Sequence, residues 1–272
     1  MSHFCVGVIT KEKPTEDIIS NILAPYYEGI KVEPYIYETA EQYLKKKREE
    51  LEEYRTKGNY AEYLENPEKY EAECANNPGH LEYVRNFMTY YNMTDEQILE
   101  ERANMYCSKD EDGSEWIDDE GNVWTTYNPI SKWDWYVIGG RWSERIPLKS
   151  GSGANVAQIK DIDFGIDIDF EKGKAKYQAE YDNLVRNGDG FYKPKYYSDN
   201  FPTIEDYIIN QEQFITFAII NDGKWFEKGN MGWFGCSSET PQEAIEWNKT
   251  FYNTFIEGLD KEWYFTIVDC HI

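Results

Sequence analysis

Two of the three histidines in this 272-residue chain, His3 and His271, lie at its opposite ends. Cys5 stands two residues after His3, and Asp269 stands two residues before His271. Residues two apart in a strand face the same side, so each pair would share one face of a sheet. Imidazole, thiol and carboxylate groups can ligate metals or exchange protons. If the two ends pair, they predict a polar cluster that is a metal site, an acid/base pair or a hydrogen-bonded anchor for the termini.

A second set of candidate residues combines aromatic rings with cations, in segments 128–142 and 225–235. A nucleobase could stack on the tryptophan faces while Arg141 binds a phosphate. Gly139 and Gly140 would allow the backbone to approach a ligand closely. The same aromatic density suits a tryptophan-rich core equally well, and both interpretations stay open. The candidate ligand-binding residues are Lys132, Trp133, Trp135, Arg141, Trp142 and Trp233.

Charge limits the classes of function that this protein can have. The chain carries 51 acidic against 28 basic residues, a formal net charge of −23. Direct binding of nucleic acid is not expected, because it needs a positive field over the phosphates. The charge is compatible with a well-solvated cytosolic protein, a partner of a basic protein surface or a mimic of nucleic acid. The aromatic content of 17% indicates a folded chain rather than a disordered acidic one.

The remaining motifs exclude several kinds of site. The five cysteines are scattered without a Cys-x-x-Cys pair, so neither a zinc knuckle nor a disulfide framework is predicted. Reduced thiols suit a cytoplasm. The N-terminus lacks a signal-peptide pattern, and no apolar run approaches the roughly 18 residues of a membrane span. We therefore expect a cytoplasmic protein with no membrane partner. Dinucleotide, P-loop and Gly-x-Ser-x-Gly motifs are absent, and the sequence identifies no cofactor.

The elements that must position these residues follow from apolar periodicity and turn signals. Without its inserts, the chain predicts strand 4–9, helix 15–24, strands 133–138 and 214–220, helix 241–256 and strand 263–271. This βαββαβ order predicts an α+β, ferredoxin-like antiparallel sheet. In that sheet the last strand pairs with the first, which brings His3 within roughly 5–10 Å of His271. Strand 133–138 would lie beside strand 214–220.

Two large insertions interrupt this plan, a mainly helical one at 39–106 and a polar one at 146–213. We expect a single elaborated domain over 1–272. Its core comprises segments 1–29, 128–145 and 214–272. The alternative is a less regular α+β domain whose inserts share the main sheet.

Four segments together resemble an uncharacterised family encoded in phages and prophages. They are Ser2-His3-Phe4-Cys5-Val6, KWDWY-x-IGGRW at 132–142, GNMGWFG at 229–235 and VDCHI at 268–272. The resemblance covers both ends and the middle of the chain, and it brings no established activity. It implies an accessory protein in a bacterial host cytoplasm, of a kind that often inhibits host systems such as defence.

Three classes of function are consistent with these features. The preferred one is a phage-type binding protein that sequesters a small nucleotide-like ligand or occludes a host protein, so catalysis is not the leading expectation. The second is a metal-assisted phosphodiesterase or nuclease that uses His3, Asp269 and His271, although the His-x-Thr/Ser repeat of two-histidine phosphoesterases is absent. The third is a nucleic-acid mimic built from the acidic segments 39–106 and 161–170.

Overall fold

The computed structural model describes residues 2–106 and 113–272, and the chain forms two compact units. The first unit contains Met1–Gly29 and Pro129–Ile272, and the second contains Ile30–Asn128. The predicted helical insert therefore falls in the second unit, while the polar insert 146–213 belongs to the first. All the candidate site residues lie in the first unit.

In chain order the strands are β1 (His3–Thr10), β2 (Lys31–Glu38), β3 (Glu115–Ile117), β4 (Val123–Tyr127), β5 (Trp135–Ile138), β6 (Ile146–Pro147), β7 (Gly153–Ala154), β8 (Val156–Gln158), β9 (Ala218–Asn221), β10 (Lys224–Glu227) and β11 (Tyr264–His271). Three of the strands, β1, β2 and β11, have eight residues each, and the others are shorter.

Most of the helices lie in the two inserts. In chain order they are α1 (Glu16–Leu23), α2 (Ala40–Thr56), α3 (Asn59–Glu65), α4 (Pro67–Glu73), α5 (Pro78–Tyr91), α6 (Asp95–Tyr106), α7 (Phe170–Asn187), α8 (Pro194–Asn200), α9 (Ile204–Glu212) and α10 (Pro241–Phe255). Among the described residues, none of these helices has the length and apolar character needed to cross a membrane.

The main sheet of the first unit has the order β10-β9-β1-β11-β5, and β8 also pairs with β11. β1 pairs antiparallel with β11 along its whole length and parallel with β9. Its run of apolar residues is buried from Phe4 onward, as expected of a central strand covered on both faces. The structure confirms the α+β class and the predicted pairing of the two chain ends.

The position of β5 departs from the ferredoxin-like order. The sequence predicts strand 133–138 beside strand 214–220, whereas β5 pairs antiparallel with β11 on the other side of β1. The free edge of β9 is taken by β10, which follows it through a tight turn at Asp222-Gly223. Pairing β9 with β10 closes only a short loop, whereas pairing β9 with β5 would close a loop of about 80 residues. The entropic cost of loop closure is therefore lower for β10. The ferredoxin-like order is therefore not reproduced.

Alternate residues of β1 and β11 contribute their side chains to two different cores. Val6 and Val268 pack with Ile19 and Leu23 of α1 on one face. On the other face Cys5, Phe265 and Ile267 share a core with Phe251 of α10. Thr15 caps the N-terminus of α1, and Thr240 forms a capping box at α10. We call these surfaces of the sheet the α1 face and the α10 face.

The second unit has its own sheet and its own core. Its three strands have the order β2-β4-β3. Helices α2 to α6 belong to the same unit, and Tyr60, Tyr70 and Val84 form an apolar cluster among them. The second unit contains one of the three histidines, His80, whose Nε2 lies 2.9 Å from the side-chain nitrogen of Asn59.

Candidate functional site

β1 and β11 bring the predicted polar cluster together. His3 is the register partner of His271, and Cys5 is the partner of Asp269. β5 extends the first of these rows, because Trp135 is paired with His271. The His3 ring centroid lies 4.9 Å from that of His271 and 5.9 Å from that of Trp135, both in edge-to-face geometry. The cluster thus contains the four predicted residues and one exposed tryptophan.

Asp269 anchors the first histidine. This carboxylate is only 1% exposed, and its Oδ1 lies 2.9 Å from Nδ1 of His3. Its Oδ2 accepts a hydrogen bond from the backbone N–H of Arg141 at 3.0 Å. Because an ionised carboxylate only accepts, we assign a proton to Nδ1 of His3. This contact orients the ring and leaves Nε2 for another partner.

Asp134 anchors the second histidine in the same way. Its Oδ1 lies 2.6 Å from Nδ1 of His271, and its backbone N–H donates to the carbonyl oxygen of His271 at 3.0 Å. The sequence pattern did not identify this residue, because its motif was interpreted through its aromatic rings and cations alone. The available signal was an acid placed directly between Trp133 and Trp135, where a core strand would carry apolar side chains.

The Gly139-Gly140 pair has a structural role beside Asp269. Gly140 has φ +52°, and a Cβ there would lie 2.5 Å from the Cβ and Oδ2 of Asp269. Only glycine allows this turn to approach the carboxylate so closely. The turn delivers the N–H of Arg141 to Asp269, so the backbone of the GGRW segment helps to hold His3.

A cavity of about 310 Å³ lies beside His3 on the sheet. Trp142 and Trp247 contribute aromatic walls, and the Trp247 indole N–H is fixed by donating to the Thr216 carbonyl at 2.9 Å. The Gln213 side-chain amide lines the cavity and makes no hydrogen bond within the described residues. Asn210 and Asn248 are the other amides of the lining. Apolar walls with a few polar groups are typical of small-molecule sites.

Two arginines provide positive charge near this cluster. Arg141 and Arg145 are both exposed, and neither guanidinium forms an ion pair with another described residue. The Arg145 charge reaches Cys5, where it opposes the rise in the thiol pKa caused by burial and by Asp269. Burial dominates, so the pKa of Cys5 lies well above its ordinary value and the thiol stays neutral. The cluster can therefore attract an anion without offering a thiolate.

Cys5 and Cys270 are expected to resist alkylation in the folded protein, while Cys236 reacts readily. Burial raises the pKa of both strand thiols, and Cys236 is exposed. The extent of alkylation at each cysteine is measured by iodoacetamide labelling at pH 8, with and without denaturant, followed by peptide mass spectrometry. Labelling of Cys5 at the rate of Cys236 under native conditions would contradict the described burial.

Two members of the predicted ligand-binding set are engaged in holding the fold. Lys132 Nζ lies 2.6 Å from Glu227 Oε1 and 2.9 Å from Asn230 Oδ1. Trp133 is 8% exposed, and its indole N–H donates to the Leu23 carbonyl at 3.0 Å. Trp133 packs on the α1 face, which is the face opposite to the histidine cluster. These two side chains therefore have structural partners instead of a free surface for a ligand.

The other members are placed differently. Trp135 is 50% exposed beside His3, and Trp142 lines the cavity. Arg141 contributes its backbone N–H to the Asp269 contact and leaves its guanidinium in solvent. The side chain of Trp233 lies outside the described residues. The structure thus unites Trp135, Arg141 and Trp142 with the histidine cluster that the sequence treats as a separate site.

A metal ion would find too few ligands in this cluster. Within residues 2–106 and 113–272, no three His, Cys, Asp or Glu side chains form a group that could hold a metal. Catalytic zinc sites use three protein ligands. His3 and His271 could supply two imidazoles, while Asp269 and Asp134 already contact their Nδ1 atoms. The metal-assisted version of the enzyme hypothesis therefore lacks a third ligand in the described part of the chain.

No protein-family model, curated protein or solved structure matches this chain. Its function must therefore be inferred from the chemistry of the site itself. The groups that carry that inference are two carboxylate-anchored histidines, a cavity with tryptophan and amide walls, and two arginines without ion-pair partners in the described residues.

Proposed function

We propose that this protein binds a small nucleotide-like ligand in the cavity beside His3. The observation that carries the proposal is the combination, around one cavity, of tryptophan faces, side-chain amides and a histidine held by a buried carboxylate. A base can stack on Trp142, because a tryptophan face suits the flat π surface of any nucleobase. The Trp247 ring also lines the cavity but packs against Phe251 and Phe255. The amide of Gln213 can hydrogen-bond the polar edge of that base.

The phosphate of such a ligand would lie toward the sheet. His3 forms part of the cavity wall, and Arg145 is close enough to affect the neighbouring Cys5. An arginine can bind a phosphate through two parallel N–H groups. Lys228 also lines the cavity, but its Nζ lies 3.0 Å from Glu239 Oε1, so its charge is balanced within the protein. The positive charge available to a phosphate therefore comes from the arginines.

Binding of this kind supports a role in sequestration. A cavity of about 310 Å³ falls within the usual size range of small-ligand sites. The resemblance to phage and prophage proteins implies an accessory factor that inhibits a host function. A protein that lowers the free concentration of a host nucleotide would inhibit in this way without contacting nucleic acid.

Replacing Trp142 by alanine is expected to weaken nucleotide binding by roughly 5- to 100-fold, since stacking on one base contributes about 1–3 kcal/mol. Titration calorimetry with adenosine and guanosine mono-, cyclic and dinucleotides measures the dissociation constants. The matched control is Trp116→Ala in the second unit, where that ring stacks on Trp124 at 6.3 Å. This control should leave nucleotide affinity unchanged.

Arg145→Ala provides a second test that does not alter a packed aromatic. It should weaken binding of nucleotides while leaving the corresponding nucleosides unaffected, because only the phosphate contacts the guanidinium. Arg186→Ala, an exposed arginine in the last turn of α7, is the control. Absence of binding by every nucleotide tested, or equal effects of Trp142→Ala and Trp116→Ala, would refute the proposed function.

A further inference from the structure

We infer that His3 and His271 form an acid–base pair that hydrolyses a phosphodiester of the bound nucleotide without a metal ion. This inference rests on the proposed function, because it needs the phosphate of the ligand beside His3. It adds a reaction to the binding site and assigns a different role to each histidine.

The geometry supplies two oriented imidazoles side by side. Each ring is held through Nδ1 by its own carboxylate, His3 by Asp269 and His271 by Asp134. The ring centroids are 4.9 Å apart, and neither Nε2 makes a hydrogen bond within the described residues. Both nitrogens can therefore exchange protons with one phosphate group. A histidine with a carboxylate on Nδ1 is the usual arrangement of a general acid or base.

The two histidines differ in their position relative to the cavity, and this difference assigns the roles. Asp269 divides its hydrogen bonding between His3 and the N–H of Arg141, and its contact to His3 is 2.9 Å. Asp134 lies 2.6 Å from Nδ1 of His271, which stands beside His3 and outside the lining of the cavity. We therefore assign His3, at the cavity wall, as the base and His271 as the proton donor.

The reaction is hydrolysis by water. Nε2 of His3 accepts a proton as the water oxygen forms a bond to phosphorus. The bond from phosphorus to the leaving ribose oxygen breaks, and Nε2–H of His271 donates its proton to that oxygen. The products are a phosphomonoester and an alcohol. The proton gained by His3 returns to His271 through solvent, so atoms and charge balance over one turnover.

The surrounding groups suit this chemistry. Arg141 and Arg145 lie on the chain segment next to the cluster and can stabilise the charge on the non-bridging phosphate oxygens. Cys5, the other reactive group on this face, stays a neutral thiol because burial raises its pKa. A covalent thiophosphate route is therefore not favoured. Water remains the nucleophile.

The test uses the full chain with three probes, 2′,3′-cyclic AMP, 3′,5′-cyclic AMP and the dinucleotide ApA, in the presence of EDTA. Phosphorus NMR follows conversion to the monoester, and calorimetry follows binding. At least one probe should be hydrolysed at a rate that EDTA does not change. His3→Asn and His271→Asn should each reduce turnover by roughly 100-fold or more, while binding changes by only a few-fold.

His80→Asn is the matched control, since this third histidine lies in the second unit and should leave turnover unchanged. Asp134→Asn tests the positioning role of a partly exposed carboxylate that the core does not require. It should lower kcat with little change in KM, and Asp134→Glu should restore part of the loss. A purely structural role would not produce this pattern.

Each remaining outcome contradicts the inference. Binding of the probes without hydrolysis of any of them would overturn the acid–base reaction and leave the binding function intact. Hydrolysis that EDTA abolishes, or that survives both histidine substitutions, would also overturn it. Failure of all three probes to bind would refute the reaction and, for these nucleotides, the proposed function with it.

Discussion

Replacing Asp269 by alanine is expected to lower the free energy of unfolding by about 3 kcal/mol and to release the His3 ring. The carboxylate is buried and accepts from both His3 and the N–H of Arg141. Its removal leaves both donors without their acceptor inside the sheet. Urea-induced unfolding measures the loss, and the NMR signals of the His3 ring report its orientation.

Asp134→Ala is the natural comparison for this substitution. It removes the other histidine-anchoring carboxylate, but this side chain is 32% exposed, so water can replace part of what is lost. The expected loss of unfolding free energy is less than about 1 kcal/mol. Equal losses for the two variants would mean that the burial of Asp269 does not contribute to stability as described.

Phe265→Ala is expected to destabilise the first unit by about 3–5 kcal/mol. The ring is 0% exposed and packs against Phe164 and Phe214, with centroids 6.2 and 5.5 Å away. It also occupies the space over Gly7, where a Cβ would overlap it. Its removal leaves a void in the core on the α10 face, which the rigid rings around it cannot fill.

Denaturant unfolding of Phe265→Ala and of Phe226→Ala provides the measurement and its control. Phe226 lies on β10 at 39% exposure and contacts Phe255 at 5.3 Å. Its removal should cost less than half as much, because a partly exposed ring loses less apolar burial. A loss below about 1.5 kcal/mol for Phe265→Ala would contradict the described core.

Local pattern was sufficient to predict the pairing that builds the site. The apolar runs at 4–9 and 263–271 both indicate buried strands, and two-residue alternation places His3 and His271 on a common face. Thr240 and the helix after it were likewise predictable, because caps and apolar stripes are local signals. The observed α10, Pro241–Phe255, lies within one residue of the predicted range.

Long-range choices were not predictable in this way. The partner of β5 depends on which edge of the sheet remains free, and no residue of β5 encodes that edge. Trp133 and Trp135 are neighbours in one motif, yet the first is buried on the α1 face and the second is half exposed. Gln213 lines the cavity and the charge of Arg145 acts on Cys5, yet neither residue stands in a sequence pattern that indicates this. Only tertiary placement reveals them.

The central strand β11 has a consequence for biosynthesis. It is the partner of β1, β5 and β8, and it follows every one of them in the chain. Until β11 has been translated, the edges of β1, β5 and β8 that pair with it are unpaired. The backbone groups along those edges are then open to pairing with other chains. The sheet can close only after β11 has been translated, so neither the His3–Asp269 contact nor the His271–Asp134 contact can form before then.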